Sequence, residues 1–213
     1  MNIPPAPPHH DDLDGSLKEA LGLLSRAVRD RRSPWRTPTL CTVGLDGWPQ
    51  GRTVVLRAFD VERRCLRFHT DRRSGKVAQL GAEPRAQLHF YDSKRRVQLR
   101  LWVNIEVLTQ GPEVERSWAA MGPMARRCYM AVAPPGTRSQ TPTDGRPEDW
   151  MAAAQASLED ESAPLPPGSG QESLTVLLAT FERAEWLSLA FAGHRRACFD
   201  WTSGQMRSWW LVP

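Results

Sequence analysis

The chain predicts a mainly β, α+β fold: an antiparallel barrel carrying a few flanking helices. Three observations lead there. Apolar stretches alternate with period two one after another, the connections between them are mostly short, and few segments show helical spacing. The 213 residues suffice for one ordinary domain with its own core, or a domain plus a subunit interface. Eighteen prolines gather near the start and around 134–167. They predict a disordered tail at 1–13 and a single domain at 14–213, interrupted by a polar, proline-rich insertion at about 134–172.

Each element has its own signal. Residues 14–32 (DGSLKEALGLLSRAVRDRR) put Leu17, Ala20, Leu21, Leu24, Ala27 and Val28 at helical spacing, with Asp14 or Ser16 as a cap and arginines in the last turn. After SPWRTP the period becomes two. TLCTVGL (39–45), the turn DGWPQ and GRTVVLRAF (51–59) predict a hairpin, and CLRFHT (65–70) follows as a third strand. Val77, Leu80 and Gly81 mark a short helix that stops before Pro84. RAQLHFYD (85–92) and VQLRLWVNIEVL (97–108) are strands joined by SKRR. A helix opens at Pro112 and breaks at Gly122. Residues 131–172 are mostly loop, with one helical candidate at 147–161. Strands at 173–191, 195–201 and 206–212 complete the chain, the last two joined by a turn at 202–205.

Composition excludes several classes. Cys41, Cys65, Cys128 and Cys198 lie far apart with no CxxC pair, which argues for isolated reduced thiols over a zinc site or a disulfide framework. The net charge of +4 is mildly basic, yet the arginines are dispersed and no nucleic-acid motif occurs. The clusters RDRRS (29–33) and SKRR (93–96) fit solvated turns and helix ends, and a basic pocket for a small anion fits the same charge. No run approaches the roughly 20 apolar residues of a membrane span. MNIPPAPPHHDDLDG lacks the basic and apolar regions of a signal peptide. The expectation is a cytoplasmic protein with neither nucleic acid nor membrane as partner, and no metal.

Four stretches carry chemistry. In GRTVVLRAFD an apolar run is flanked by Arg52 and Arg57. In an unbroken strand Arg52 shares a face with Val54 and Leu56, and Arg57 points with Thr53 and Val55. An arginine beside a core wall belongs at a strand end, an interface or a bound anion. In FHTDRRSGK a strand passes into a helix with Arg73, Ser74 and Lys76 at the junction, where unpaired N–H groups and the helix dipole favour an anion. A plain N-cap with solvent-facing basic neighbours fits those residues equally well. Gln98 and Arg100 share one strand face, and the glutamine amide can both donate and accept. EWLSLAFAGHRRACFDW adds Trp186, His194, Arg195 and Arg196, with no nucleophile to form a triad and no Gly-rich phosphate loop anywhere.

In this order, GRTVVLRAFD, LRFHTDRRSGKVAQL, VQLR and the terminal EW…HRR…WWLVP resemble the pyridoxamine 5'-phosphate oxidase-like, FMN-binding split-barrel family, from about residue 35 to the end. The resemblance implies a six-stranded antiparallel split β-barrel and a homodimer with FMN in clefts between subunits. It implies that Arg52, Thr53, Val54, Val55, Leu56 and Arg57 line the flavin, Arg52 on its phosphate side. His69 and Thr70 would meet the ring system, and Arg73, Ser74 and Lys76 fall in the phosphate-binding stretch. Gln98, Trp186 and Arg196 would come from the neighbouring subunit.

The departures fall on the substrate side. Gly75 takes the second place of the basic pair, and Arg57 replaces the usual lysine. Ala192 stands where the substrate-phosphate arginine would be, although His194 and Arg196 keep their places. The helix after residue 112 does not reproduce the tyrosine, arginine and serine that grip that phosphate. The expected function is FMN-dependent redox chemistry on a small molecule, with His194 and Arg57 as candidate catalytic residues. The competing expectation is a split barrel that carries flavin or haem without turnover.

Overall fold

The computed structural model describes residues 9–146 and 170–213. Helix α1 (Leu13–Arg29) is capped by Asp12, whose carboxylate accepts from Asp14 N–H at 3.1 Å, and it buries Ala20, Leu23, Leu24 and Ala27 along one face. It stops before the expected residue 32 because Asp30 turns extended and its carboxylate accepts from Arg32 N–H at 2.8 Å. The disordered tail expected through residue 13 is corrected over residues 9–13. There the chain is a turn leading into the helix, with His10 only 2% exposed and Ser16 Oγ donating to His9 O at 2.9 Å.

The strands are β1 (Thr39–Val43), β2 (Pro49–Thr53), β3 (Leu56–Asp60), β4 (Cys65–Asp71), β5 (Arg85–Asp92), β6 (Val97–Leu108), β7 (Leu174–Ser188), β8 (Arg195–Asp200) and β9 (Arg207–Leu211). Every pairing is antiparallel, along the path β2-β1-β5-β6-β7-β4-β3, with β8 on β7 and β9 on β8. Gly47, at φ 81°, turns β1 into β2 as the DG pair predicts. The mainly β, split-barrel class with few helices stands; the described residues form nine strands, one more than the eight stretches read from the sequence.

One difference matters for the site. The single strand expected at 51–59 is two strands lying at opposite ends of the path. Val54 leaves the β1 ladder by donating to Pro38 O at 3.0 Å, and β3 then pairs with β4. No β2–β3 ladder closes the sheet, so the barrel stays split there.

β7 is where the sheet forks. Residues 174–180 pair with β4 and residues 183–188 with β8, while β6 runs along both parts. The register shifts between Trp102 and Val103, and the bulge frees Glu182 O to accept from Trp201 N–H at 2.8 Å. The first part of β7 is buried on both faces. Leu177 and Ala179 face the main core with Trp35, Phe68 and Phe90, whereas Leu174 and Val176 face a second core with Val114, Trp118 and Tyr129. Helix α3 (Pro112–Ala119) supplies that second core.

Helix α2 (Gly75–Ala82) ends before Pro84 as expected. Residues 134–146 are loop, and the helical candidate at 147–161 lies outside the described residues. All four cysteines are free thiols, and no metal-binding cluster occurs among the described residues. No described helix is long and apolar enough to cross a membrane.

Candidate functional site

The β1–β2 register sets Arg52 opposite Leu40, on the face that Thr42 shares. Its guanidinium donates to Thr42 Oγ1, to Leu40 O at 3.4 Å and to Gln79 Oε1 at 2.8 Å; Thr42 Oγ1 also donates to Gln79 Oε1, at 2.7 Å. All these partners are neutral. Beside them Lys76 Nζ donates to Thr70 Oγ1 at 2.9 Å and to Ser74 Oγ at 3.1 Å. Among the described residues no carboxylate pairs with either cation.

Both cations are held at a cost. Burial lowers the Lys76 pKa, Arg52 lowers it further, and only Asp71 opposes. Burial likewise lowers that of Arg52. Asp71 is committed elsewhere, its carboxylate accepting from Arg73 Nη2 at 2.7 Å and from Arg73 Nε at 3.0 Å. Two partly desolvated cations with only neutral partners can take an anion.

Ser74 bears on the N-cap reading of its segment. It occupies the N-cap of α2, yet its side chain makes no capping bond; the hydroxyl donates to Asp71 O at 2.7 Å and accepts from Lys76. The first N–H groups of α2 therefore have no side-chain cap. A Cβ at position 75 would meet nothing within 4 Å. Cations, hydroxyls and free helix N–H groups match the phosphate end of a cofactor such as FMN.

The remaining predicted residues fall into separate places. Val54 and Leu56 are buried, Val55 is half-buried, and Thr53 and Arg57 are exposed. His69 points away from Thr70, since the two alternate across β4. Both its ring nitrogens are enclosed without a hydrogen-bond partner, and burial, then Arg57, then Arg67 lower its pKa to about 4. The imidazole is therefore neutral near pH 7. Burial pushes the nearby Tyr129 hydroxyl up to about 12, partly opposed by Arg57.

Arg73 does not join the cation pair. Besides gripping Asp71 it donates to Ala131 O at 2.8 Å and Val132 O at 3.1 Å, tying down the start of the loop.

Gln98 and Arg196 lie on the outer face of β6 and β8, separated across the sheet by Leu187. The next row holds Glu185, buried, which pairs with Arg100, with Arg183 at 2.8 Å and with Arg196 at 2.6 Å. Arg183 and Arg100 also stand over the Trp102 ring, at 4.7 and 5.3 Å. Trp186 faces the other way. It is 0% exposed, donates from its indole to Glu19 Oε2 at 3.3 Å and meets the His9 ring edge-on. Within this chain no face of it is open to a ligand. His194 is exposed in the turn between β7 and β8, lining a cleft of about 150 Å³ with Asp11, Arg196 and Trp210, away from the Arg57 and His69 pair.

Sequence reasoning missed Thr42, Gln79 and Glu185. Gln79 was within reach, since it lies three residues beyond Lys76 on one face of α2. Thr42 required the hairpin register, and Glu185 required the pairing of β6 with β7.

Comparison with known proteins gives four findings. The family model described as "Pyridoxamine 5'-phosphate oxidase, FMN-binding domain" matches residues 19–109. A pyridoxine/pyridoxamine 5'-phosphate oxidase of Xanthomonas euvesicatoria is 32% identical over 161 residues, covering 74% of this chain and 76% of the relative. Pyridoxine/pyridoxamine 5'-phosphate oxidase 2 of Arabidopsis thaliana is 29% identical over 158 residues, covering 70% and 72%. The crystal structure of PhzG from Burkholderia lata 383 in complex with tetrahydrophenazine-1-carboxylic acid superposes with a TM-score of 0.71 at 18% identity, over 100% of both chains. At that identity the likeness concerns the fold. The matching domain binds FMN, and FMN is the cofactor for this chain.

Proposed function

Since the chain belongs to the pyridoxamine 5'-phosphate oxidase family of FMN-binding proteins, we propose that it is an FMN-dependent oxidoreductase acting on a small molecule, and that it works as a homodimer with FMN between the subunits. The observation that carries this reading is the pair Arg52 and Lys76, both buried enough to lower their pKa and both held by neutral groups alone. A phosphate monoester supplies the charge they lack.

When bound, the flavin supplies the electron transfer, so the chain's own residues bind, orient and exclude water. Arg52, Lys76, Thr70 and Ser74 would hold the phosphate, with Thr42 and Gln79 aiming Arg52. Neutral His69 and cationic Arg57 would stand on the outer side of β3 and β4. The substrate side departs from the oxidases that name the family. Ala192 brings no charge, and on α3 Arg116 is spent on Glu113 at 2.7 Å, a carboxylate that Arg67 also engages. A substrate gripped by a second phosphate at those positions is therefore not the one we propose.

The outer face of β5, β6, β8 and β9 supports the dimer. Tyr91 and Trp209 are exposed there at 42% and 37%, among Gln98, Arg100 and Arg196. Exposed aromatics mixed with arginine are typical of protein interfaces. The test is the purified protein itself. It is expected to be yellow, to bleach with a reductant and recover in air, and to run at twice 24.0 kDa. Release of hydrogen peroxide would then be screened with pyridoxamine phosphate, pyridoxine phosphate and unphosphorylated amines. A colourless protein that takes up no added FMN would overturn the reading.

A further inference from the structure

The two basic clusters RDRRS and SKRR are about sixty residues apart in sequence, yet the fold brings Arg32 of the first and Lys94 and Arg95 of the second to line one cleft. This cleft, about 530 Å³, lies between the end of α1 with the Pro34–Arg36 turn and the β5–β6 turn. It shares no lining residue with the α2 site, whose Arg52 lies opposite Leu40 and so level with Leu88, four residues along β5 from Asp92 at the cleft.

The cleft's charge is unbalanced. Arg26, Arg32, Lys94 and Arg95 line it against two carboxylates, Asp30 and Asp92. Both acids are turned into their own backbone. Asp30 accepts from Arg32 N–H at 2.8 Å, and Asp92 accepts from Lys94 and Arg95 N–H at 2.9 and 3.0 Å. Arg95 lies 3.5 Å from Asp92, and no ion pair or side-chain hydrogen bond engages Arg26, Arg32 or Lys94 among the described residues.

Completing the end of α1 does not account for all of these cations. That helix end is already served by Arg36, which donates to Val28 O at 2.6 Å and Ala27 O at 3.3 Å. Arg32 and Lys94 stand beyond it. The cleft also has a dry part, formed by Leu23, 5% exposed, and Pro34.

We propose that this cleft is a second anion site, for a phosphorylated small molecule of nucleotide size. Arg32, Lys94 and the Ser33 and Ser93 hydroxyls would take the phosphates, and Leu23 with Pro34 would take the apolar body. A volume of this size falls in the range of small-ligand sites, and two unpaired cations lining one cleft suit a diphosphate better than a monoanion. The proposal is independent of the FMN reading, since it shares no residue with that site.

The test is calorimetric titration of the FMN-loaded full chain with ADP, beside the Arg32→Gln/Lys94→Gln double variant. The expected result is one ADP per chain, weakened at least about tenfold in the double variant, with FMN content and thermal midpoint unchanged. Absence of ADP binding up to millimolar concentration would overturn the proposal, as would equal binding by the double variant. So would affinity for oligonucleotides that climbs with their length, which would mark a nucleic-acid surface instead. If the chain carries no FMN, the comparison between wild type and double variant still reads this cleft, so the two failures are distinguishable.

Discussion

Replacing Lys76 by methionine separates what its ammonium costs from what it does. In the FMN-free chain the ammonium is half-buried, its pKa is lowered by burial and by Arg52, and its partners are two hydroxyls. Ser74 Oγ keeps its bond to Asp71 O without it. The substitution removes two hydrogen bonds worth about 1 kcal/mol each and returns a desolvation and repulsion cost of similar size. The stability of the FMN-free chain should therefore change by less than about 1 kcal/mol. Binding should change far more. A charge-assisted contact to phosphate is worth about 1.5–3 kcal/mol, so Kd for FMN should rise about 10- to 150-fold. Quenching of flavin fluorescence gives Kd, and urea midpoints with and without FMN give stability. With FMN at a hundred times the wild-type Kd, the wild type should gain about 2.7 kcal/mol and a variant weakened a hundredfold about 0.4 kcal/mol. An unchanged Kd, or an FMN-free variant destabilised by more than about 2 kcal/mol, would refute the reasoning, because the ammonium would then be structural.

Gln79→Glu should place a carboxylate against Arg52, raising the urea midpoint of the FMN-free chain while weakening FMN more than about tenfold by competing with its phosphate; equal FMN affinity would remove Gln79 from the site. His69 predicts a pH dependence. Its folded pKa of about 4 lies below the usual histidine value of 6.5, so the unfolded chain binds the proton more tightly. The penalty is absent above pH 6.5, grows as pH falls towards 4 and is level below. At most it is about 3 kcal/mol, and water at the open side of the ring reduces it to about 1–2 kcal/mol. His69→Gln should flatten the urea midpoint between those pH values relative to wild type, and parallel profiles would exclude the shift. Glu185→Gln leaves three arginines around a neutral group. Since they are about a third open to water, the expected loss is about 2 kcal/mol, below the roughly 3–5 kcal/mol of a fully buried pair. Denaturation at low and high salt measures it, and no loss at either would mean the arginines are already solvated.

The stretch from Arg52 to Arg57 shows how much periodicity conveys. Burial still alternates through the break: Arg52 half-buried, Thr53 exposed, Val54 buried, Val55 half-buried, Leu56 buried, Arg57 exposed. A period of two reports which face a residue takes, and faces survive when a chain leaves one ladder for another. What it does not report is the partner. Only the bond from Val54 N–H to Pro38 O and the start of the β4 ladder reveal the crossing. For the same reason strands were legible as strands, while the fork in β7, which depends on a bulge against Trp102, was not.

Local chemistry was readable where the site is local. Thr70, Ser74 and Lys76 fall within seven residues, so a strand-to-helix junction was enough to bring them together, whereas the missing cap bond of Ser74 could be seen only in the structure. Residues that gain their role through distant partners were not readable. The polar HHDD segment has the composition of a loose tail, yet His9 meets Glu19 at 2.8 Å and Asp11 meets Arg195 at 2.6 Å, across 184 positions. Those contacts also enclose Trp186, through Glu19 and His9. If Trp186 is to meet a flavin, the 9–12 segment must move first. Deleting residues 1–12 should therefore expose that indole, red-shifting its emission, and should raise FMN affinity if the tryptophan contributes a contact. Unchanged affinity with the indole exposed would leave Trp186 as a core residue alone.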